Sequence, residues 1–335
     1  MKKMYLKLPS ILLVAAMIFF VSCEGPEGPA GADGNTSCLT CHSTDGMTQI
    51  EASYALSGHN AAQSVGYAGG RGSCARCHSH SGFINFLSGL DGADPIDIDF
   101  PTKINCETCH GNHGSLEEGI EAPIRTIEPV IALADEASID FDGNSNLCAN
   151  CHQSRRDASY YLAIDSVEID DVLTAVGAGN VGINSSHAGP HHGPQANVLL
   201  GMGGYGNSES HAHASASCTG CHMGEASATE GGHSFKPNNA NCNECHDTPA
   251  DFDYKGAISS YNTRIAAIAN ALVTAGALSL DAETGEYHPH VSIVPEATFE
   301  AFWNYMMCYE DHSHGVHNPA YIKTLLTQAE AKLGL

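Results

Sequence analysis

Positive charge is scarce in this 335-residue chain: 14 Lys and Arg stand against 38 Asp and Glu, a formal net charge of −24. That balance excludes the basic face a nucleic acid requires and makes a partner with a basic docking face the natural complement. Aromatic residues are sparse at 7%, with a single tryptophan, Trp303, and charged residues of both signs reach only 16%. Glycine, by contrast, occurs 35 times. The length suffices for one large domain or two modest ones, but this composition is a poor source of apolar core. Beyond the N-terminus no run is long and apolar enough to span a bilayer.

Residues 1–22 read as an export signal, with Lys2, Lys3 and Lys7 before the apolar run Ile11 to Val21. Phe20-Val21-Ser22-Cys23 resembles a bacterial lipoprotein cleavage box, which implies a lipid anchor at Cys23; the alternative is an ordinary signal peptide containing a cysteine. Residues 23–36 carry Gly25, Gly28, Gly31 and Gly34 in a Pro/Gly/Glu stretch. A collagen triple helix needs many more triplets and three chains, so a flexible tether is predicted. The expected location is the outer membrane, on its periplasmic or cell-surface face.

What the chain has in excess is cysteine with histidine, 14 and 20 residues respectively. Cys38-Leu39-Thr40-Cys41-His42 is a Cys-x-x-Cys-His pentad, and the pattern recurs at Cys74 to His78, Cys106 to His110, Cys148 to His152, Cys218 to His222 and Cys242 to His246. Cys23 and Cys308 are the cysteines left over, the latter expected to be a buried small apolar residue. Two cysteines three apart lie on one side of a helical turn and can reach both vinyl groups of one haem; the next histidine then comes under the iron. Zinc sites and disulfides are the competing readings, and neither needs a histidine after every pair. Six covalent haem c groups are therefore predicted. Cys38, Cys41, Cys74, Cys77, Cys106, Cys109, Cys148, Cys151, Cys218, Cys221, Cys242 and Cys245 would attach them, with His42, His78, His110, His152, His222 and His246 as proximal ligands. The macrocycles would substitute for missing core, and the haem-free chain is expected to be largely unfolded.

Fourteen histidines remain for the distal positions, with Met202, Met223, Met306 and Met307 as alternative ligands that would raise a potential. Two stretches carry a family resemblance: HHGPQANVLLGMGGYGNSESHAHASASCTGCHMGEASATEGGHSFKPNNANCNECH from His191, and DHSHGVHNPAYIKTLLTQA from Asp311. Both resemble the multihaem cytochrome superfamily that includes ammonia-forming cytochrome c nitrite reductase and its non-catalytic relatives. The resemblance implies distal ligands at His192 (or its neighbour His191), His213 (or His211), His233 and His317. Upstream, Ser57-Gly58-His59 and Cys109-His110-Gly111-Asn112-His113 resemble the positions of the other two, which implies His59 and His113. The chain departs from the nitrite reductases, which place lysine after the catalytic pentad and keep that iron open. Relatives that process hydroxylamine or tetrathionate do catalyse at a histidine-ligated haem with an open distal side. His80, His288 and His290 read equally as solvated or ligating, and His312 and His314 as neighbours of His317.

Between pentads the chain is rich in Gly, Ser and Asn. The widest gap, Cys148 to Cys218, has room for a small subdomain or a docking surface. The acidic run Asp165 to Asp171 reads as a solvated face, with calcium binding the alternative, as do Asp91, Asp94, Asp97 and Asp99. Ile124 to Ile139 predicts a short hairpin. Ile258, Tyr261, Ile265, Ile268 and Leu272 fall at helical spacing before a stop at Gly276, and Phe299, Phe302, Trp303 and Met306 mark a second helix. Asn318 and Pro319 open a third, striped with Ile322, Leu325, Leu326, Ala329 and Leu333. The predicted fold is mainly α with much irregular coil, a haem-binding region over 37–254 and a helical region over 255–335. Pentads and resemblance together predict electron transfer along mostly bis-His haems to other redox proteins, rather than catalysis. The alternatives are a reductase or oxidase of small nitrogen or sulfur oxyanions with one open haem, and the protomer of a haem filament.

Overall fold

The computed structural model describes residues 43–90, 95–111, 124–206, 212–247 and 251–335. Cys23, the tether, the pentad Cys38 to His42 and His113 lie outside the described residues. The chain divides into two units, residues 1–48 and 49–335, and residues 43–48 are the described part of the first.

Up to residue 247 the backbone alternates short helices with coil. Helix α1 (Gly72–His78) and helix α2 (His80–Leu87) meet at Ser79, whose extended backbone ends one and whose hydroxyl caps the other by accepting from Gly82 N–H at 3.1 Å. The two helices cross so closely that a Cβ on Gly82 would sit 2.2 Å from the Ala75 carbonyl. Helix α3 (Cys106–Cys109) is a single turn held by a reciprocal capping box between Asn105 and Thr108. The predicted hairpin is present as β1 (Val130–Ile131) against β2 (Ser138–Ile139). Helix α4 (Ser145–Ala149) follows it.

The wide gap contains structure that local patterning did not predict. Strands β3 (Ser166–Ile169) and β4 (Val172–Ala175) form a hairpin turned by Asp170 and Asp171, both at positive φ. Asp165, Glu168, Asp170 and Asp171 are exposed there, and among the described residues no group of three or more Asp, Glu, His or Cys is arranged to hold a cation. The calcium alternative therefore has no support in the fold. Strand β5 (Asn180–Ile183) pairs with a strand far downstream, and helix α5 (Gln195–Leu199) precedes the kinked helix α6 (Ala212–His222).

The C-terminal third is a true apolar unit. Helix α7 (Ala257–Thr274) ends before Gly276, which takes φ 76°. A hairpin of β6 (Leu278–Leu280) and β7 (Tyr287–Pro289) leads to β8 (Ser292–Pro295), the partner of β5, and then to helices α8 (Glu296–Glu310) and α9 (Pro319–Leu333). Asn318 accepts from Tyr321 N–H with Pro319 in the first turn. Every residue from Ala301 to Cys308 is buried, so α8 is enclosed on all sides rather than amphipathic. Its polar members are satisfied laterally: Trp303 Nε1 donates to the Gly203 carbonyl at 2.7 Å, and Asn304 exchanges two hydrogen bonds with the Tyr205 backbone. Phe299, Phe302, Met307, Ile268, Leu272 and Leu325 close the core around it. A smaller cluster of Val130, Ile139, Phe141, Ala149 and Leu199 lies beneath the hairpin. No helix among the described residues is long and apolar enough to cross a membrane.

Candidate haem sites

The five described pentads are numbered two to six in chain order. In sites three, four and six the histidine N–H bonds the carbonyl of the first cysteine, at 2.9, 3.0 and 2.8 Å, closing one helical turn. In site two the same residues complete α1, and in site five they end α6 after a break at Ser217, φ 55°. One closed turn presents both thiols on one side with the histidine next to them, the disposition that two thioether bonds and one axial ligand require. All ten thiols of these pentads are free of disulfides. No group of three or more His, Cys, Asp or Glu among the described residues forms a bare-ion site, so tetrahedral zinc does not explain the pentads.

Each of the five pentad histidines faces one histidine from elsewhere in the chain. Ring centroids are 6.1 Å apart for His78 and His191, 6.2 Å for His110 and His233, and 6.1 Å each for His152 and His59, His222 and His317, and His246 and His213. The angles between planes scatter from 36° to 85°, so ring stacking does not set the spacing. Two metal–nitrogen bonds of about 2 Å and two ring radii of about 1.1 Å together span about 6.2 Å. The pairs are thus spaced for one metal atom between them.

Burial holds six of these imidazoles toward the neutral form. Burial pushes His59 and His191 each down to about 4 and also lowers His78, His152, His222 and His233. Several are oriented through Nδ1: His213 on the Val316 carbonyl at 2.7 Å, His222 on the Phe235 carbonyl at 2.8 Å and His152 on the Gln195 amide oxygen at 3.3 Å. His317 Nδ1 meets the Asp311 carboxylate at 2.7 Å; burial draws its pKa down, but the carboxylate outweighs this and the net shift is upward.

Of the histidines implied as distal ligands, His59, His213, His233 and His317 stand opposite pentad histidines. His192 does not: its Nδ1 is held by Glu310 at 2.7 Å, and the ring facing His78 is that of His191. His191 takes φ 77°, and although the two rings lie only 5.1 Å apart they meet different partners. His80 bonds Thr108 and His314 bonds Asn262, neither against a pentad ring. Cys308 is fully buried, as expected.

The attachment thiols also meet across pentads. Cys77 and Cys151 lie side by side, Cys77 donating to the Asn150 carbonyl and Cys151 to the Arg76 carbonyl, both at 3.8 Å. Cys148 and Cys218 form a second close pair, and their proximity holds Cys218 down to about 7 and raises Cys148. Cys109 lies within electrostatic reach of Cys148 and Cys151, and Cys221 within reach of Cys242 and Cys245. Sequence reasoning had no access to these contacts.

The family model described as Cytochrome c552 matches residues 205–334. The outer cell wall cytochrome OcwA superposes with a TM-score of 0.52 at 19% identity, over 84% of this chain and 49% of that one. An undecahaem cytochrome from the S-layer of Carboxydothermus ferrireducens superposes with a TM-score of 0.49 at 21% identity, over 82% of this chain and 39% of that one. This chain therefore spans about half the length of the first structure and less of the second. No curated protein matches it. The fold is that of the multihaem cytochromes, mainly helical with its long helices at the C-terminus. Residues 205–334 match the Cytochrome c552 family, and the fold is similar to that of the outer cell wall cytochrome OcwA.

Proposed function

We propose that this chain is an exported, lipid-anchored hexahaem carrier that passes electrons along a series of bis-His haems. The observation that carries the reading is the spacing of the five histidine pairs, each suited to a single six-coordinate iron. Haem c supplies reversible one-electron chemistry when bound; the chain attaches it, ligates it and tunes it. The assigned pairs are His78–His191, His110–His233, His152–His59, His222–His317 and His246–His213, with His42 and His113 completing the predicted set. Since each thiol would mark the edge of a macrocycle, the close thiol pairs support a path from site two through sites four and five to site six, with site three beside site four. Export and the anchor at Cys23 rest on the N-terminal sequence, and the acidic surface suits a redox partner with a basic docking face.

A second reading, reduction or oxidation of a small oxyanion, draws on a cleft of about 170 Å³ lined by His187, His192, His288, His312 and Glu310. It needs an open iron, and His191, on the cleft wall, faces His78 at 6.1 Å. Electron paramagnetic resonance of the oxidised holoprotein, with and without nitrite or hydroxylamine, tests both. Low-spin signals unchanged by ligand are the expected result. A high-spin signal that shifts on ligand addition would replace the carrier with an enzyme.

A further inference from the structure

We propose that Asp311 acts as a potential-setting residue, holding the haem of Cys218, Cys221, His222 and His317 below its neighbour at Cys148, Cys151 and His152. The inference rests on the bis-His assignment above. Asp311 occupies the C-terminal end of α8, where the helix dipole disfavours a negative charge, and its side chain is 0% exposed. A buried carboxylate in that position is costly unless something uses it. Its Oδ1 accepts from His317 Nδ1 at 2.7 Å, and its Oδ2 accepts from the Ser313 hydroxyl. Ser313 Oγ in turn accepts from the His317 backbone N–H at 3.2 Å, so ring and carboxylate are locked into one small cycle.

The chemistry follows from the acceptor. A carboxylate on the outer nitrogen gives the ring partial imidazolate character, making it a stronger donor to iron and favouring the oxidised state. The buried negative charge acts in the same direction. Where His152, His213 and His222 bond through Nδ1, the acceptors are neutral: the Gln195 amide and the Val316 and Phe235 carbonyls. Site four, whose thiol Cys148 lies beside Cys218 of site five, thus has a neutral acceptor where site five has a charged one. An electron moving along the path meets a step between these two sites, placed there by one side chain.

The test is a potentiometric titration of the holoprotein, followed by visible absorbance and electron paramagnetic resonance. His317→Met replaces the ligand and identifies the site-five component, because methionine raises the potential of the iron it binds. Asp311→Asn should raise that same component by about tenfold in its reduction equilibrium, 59 mV for one electron, with the iron still low-spin. Asp311→Glu should restore most of the difference. Ser313→Ala removes a competing donor to the carboxylate and should move the component the other way, which keeps the test alive if Asp311→Asn folds poorly. A component moved by His317→Met but unmoved by Asp311→Asn and Ser313→Ala overturns the proposal. If His317→Met moves no component, the ligand pairing itself is wrong.

Discussion

His78 and His191 stand edge to face, planes at 84° and centroids 6.1 Å apart, while the adjacent His192 turns to Glu310. The two histidines of one dipeptide therefore have different expected phenotypes. His191→Ala should convert one haem to high spin, visible by electron paramagnetic resonance and as a ligand-induced shift of the Soret band with cyanide. His192→Ala should leave all low-spin signals in place. The reverse pattern would return the assignment to His192.

Gly82 admits α2 against α1, the helix that carries the second pentad. Gly82→Ala would set a methyl 2.2 Å from the Ala75 carbonyl, so the pentad turn must shift. Haem stoichiometry by pyridine haemochrome assay and intact mass should fall by one equivalent in a large fraction of the chains. Retention of the wild-type count would show that the helix pair yields elsewhere.

Leu325 is fully buried among the C-terminal helices, with no pentad in its cluster core. Leu325→Ala should cost about 2–5 kcal/mol in denaturant unfolding monitored by far-ultraviolet circular dichroism. The haem count of the folded fraction should not change, because the cavity opens away from the attachment turns.

Arg264 grips Glu330 with two parallel hydrogen bonds of 2.7 Å, Nε to Oε1 and Nη2 to Oε2. Hydrogen bonding from Arg264 holds Glu330 below the usual carboxylate range. A carboxyl with a depressed folded pKa stabilises the fold above its unfolded value, about 4.3, and loses that contribution as pH falls through the folded value. Both groups are partly solvated, so the pair contributes about 1 kcal/mol at neutral pH. Glu330→Gln should show that deficit at pH 7 and converge with wild type as pH falls through the depressed folded pKa of Glu330.

The C-terminal helices were readable because their signals are local. The stripe Ile258 to Leu272 and its stop at Gly276 became α7, and Asn318-Pro319 became the start of α9. The pentads were readable because one closed turn contains the whole attachment chemistry. The pairing of β5 with β8 was not, since Asn180 and Pro295 meet only through the tertiary fold. The distal ligands fall between these cases. The family resemblance implied His59, His213, His233, His317 and His192 or its neighbour His191; in the fold His191 faces His78 while His192 meets Glu310, a difference that spacing does not encode. Asp311 looked like an ordinary acid beside a histidine-rich run until burial singled it out.

The thiol contacts have a consequence for biogenesis. In the folded chain Cys77 lies against Cys151 and Cys148 against Cys218, each a thiol from a different pentad. In an oxidising compartment such neighbours are ready substrates for thiol–disulfide exchange, and a cross-link between pentads would block two attachment sites at once. On the carrier reading proposed above, haem attachment or a reductant would have to act before the tertiary fold closes. On that reading, the closeness that would suit the finished protein to carrying electrons is, in the nascent one, a route to misassembly.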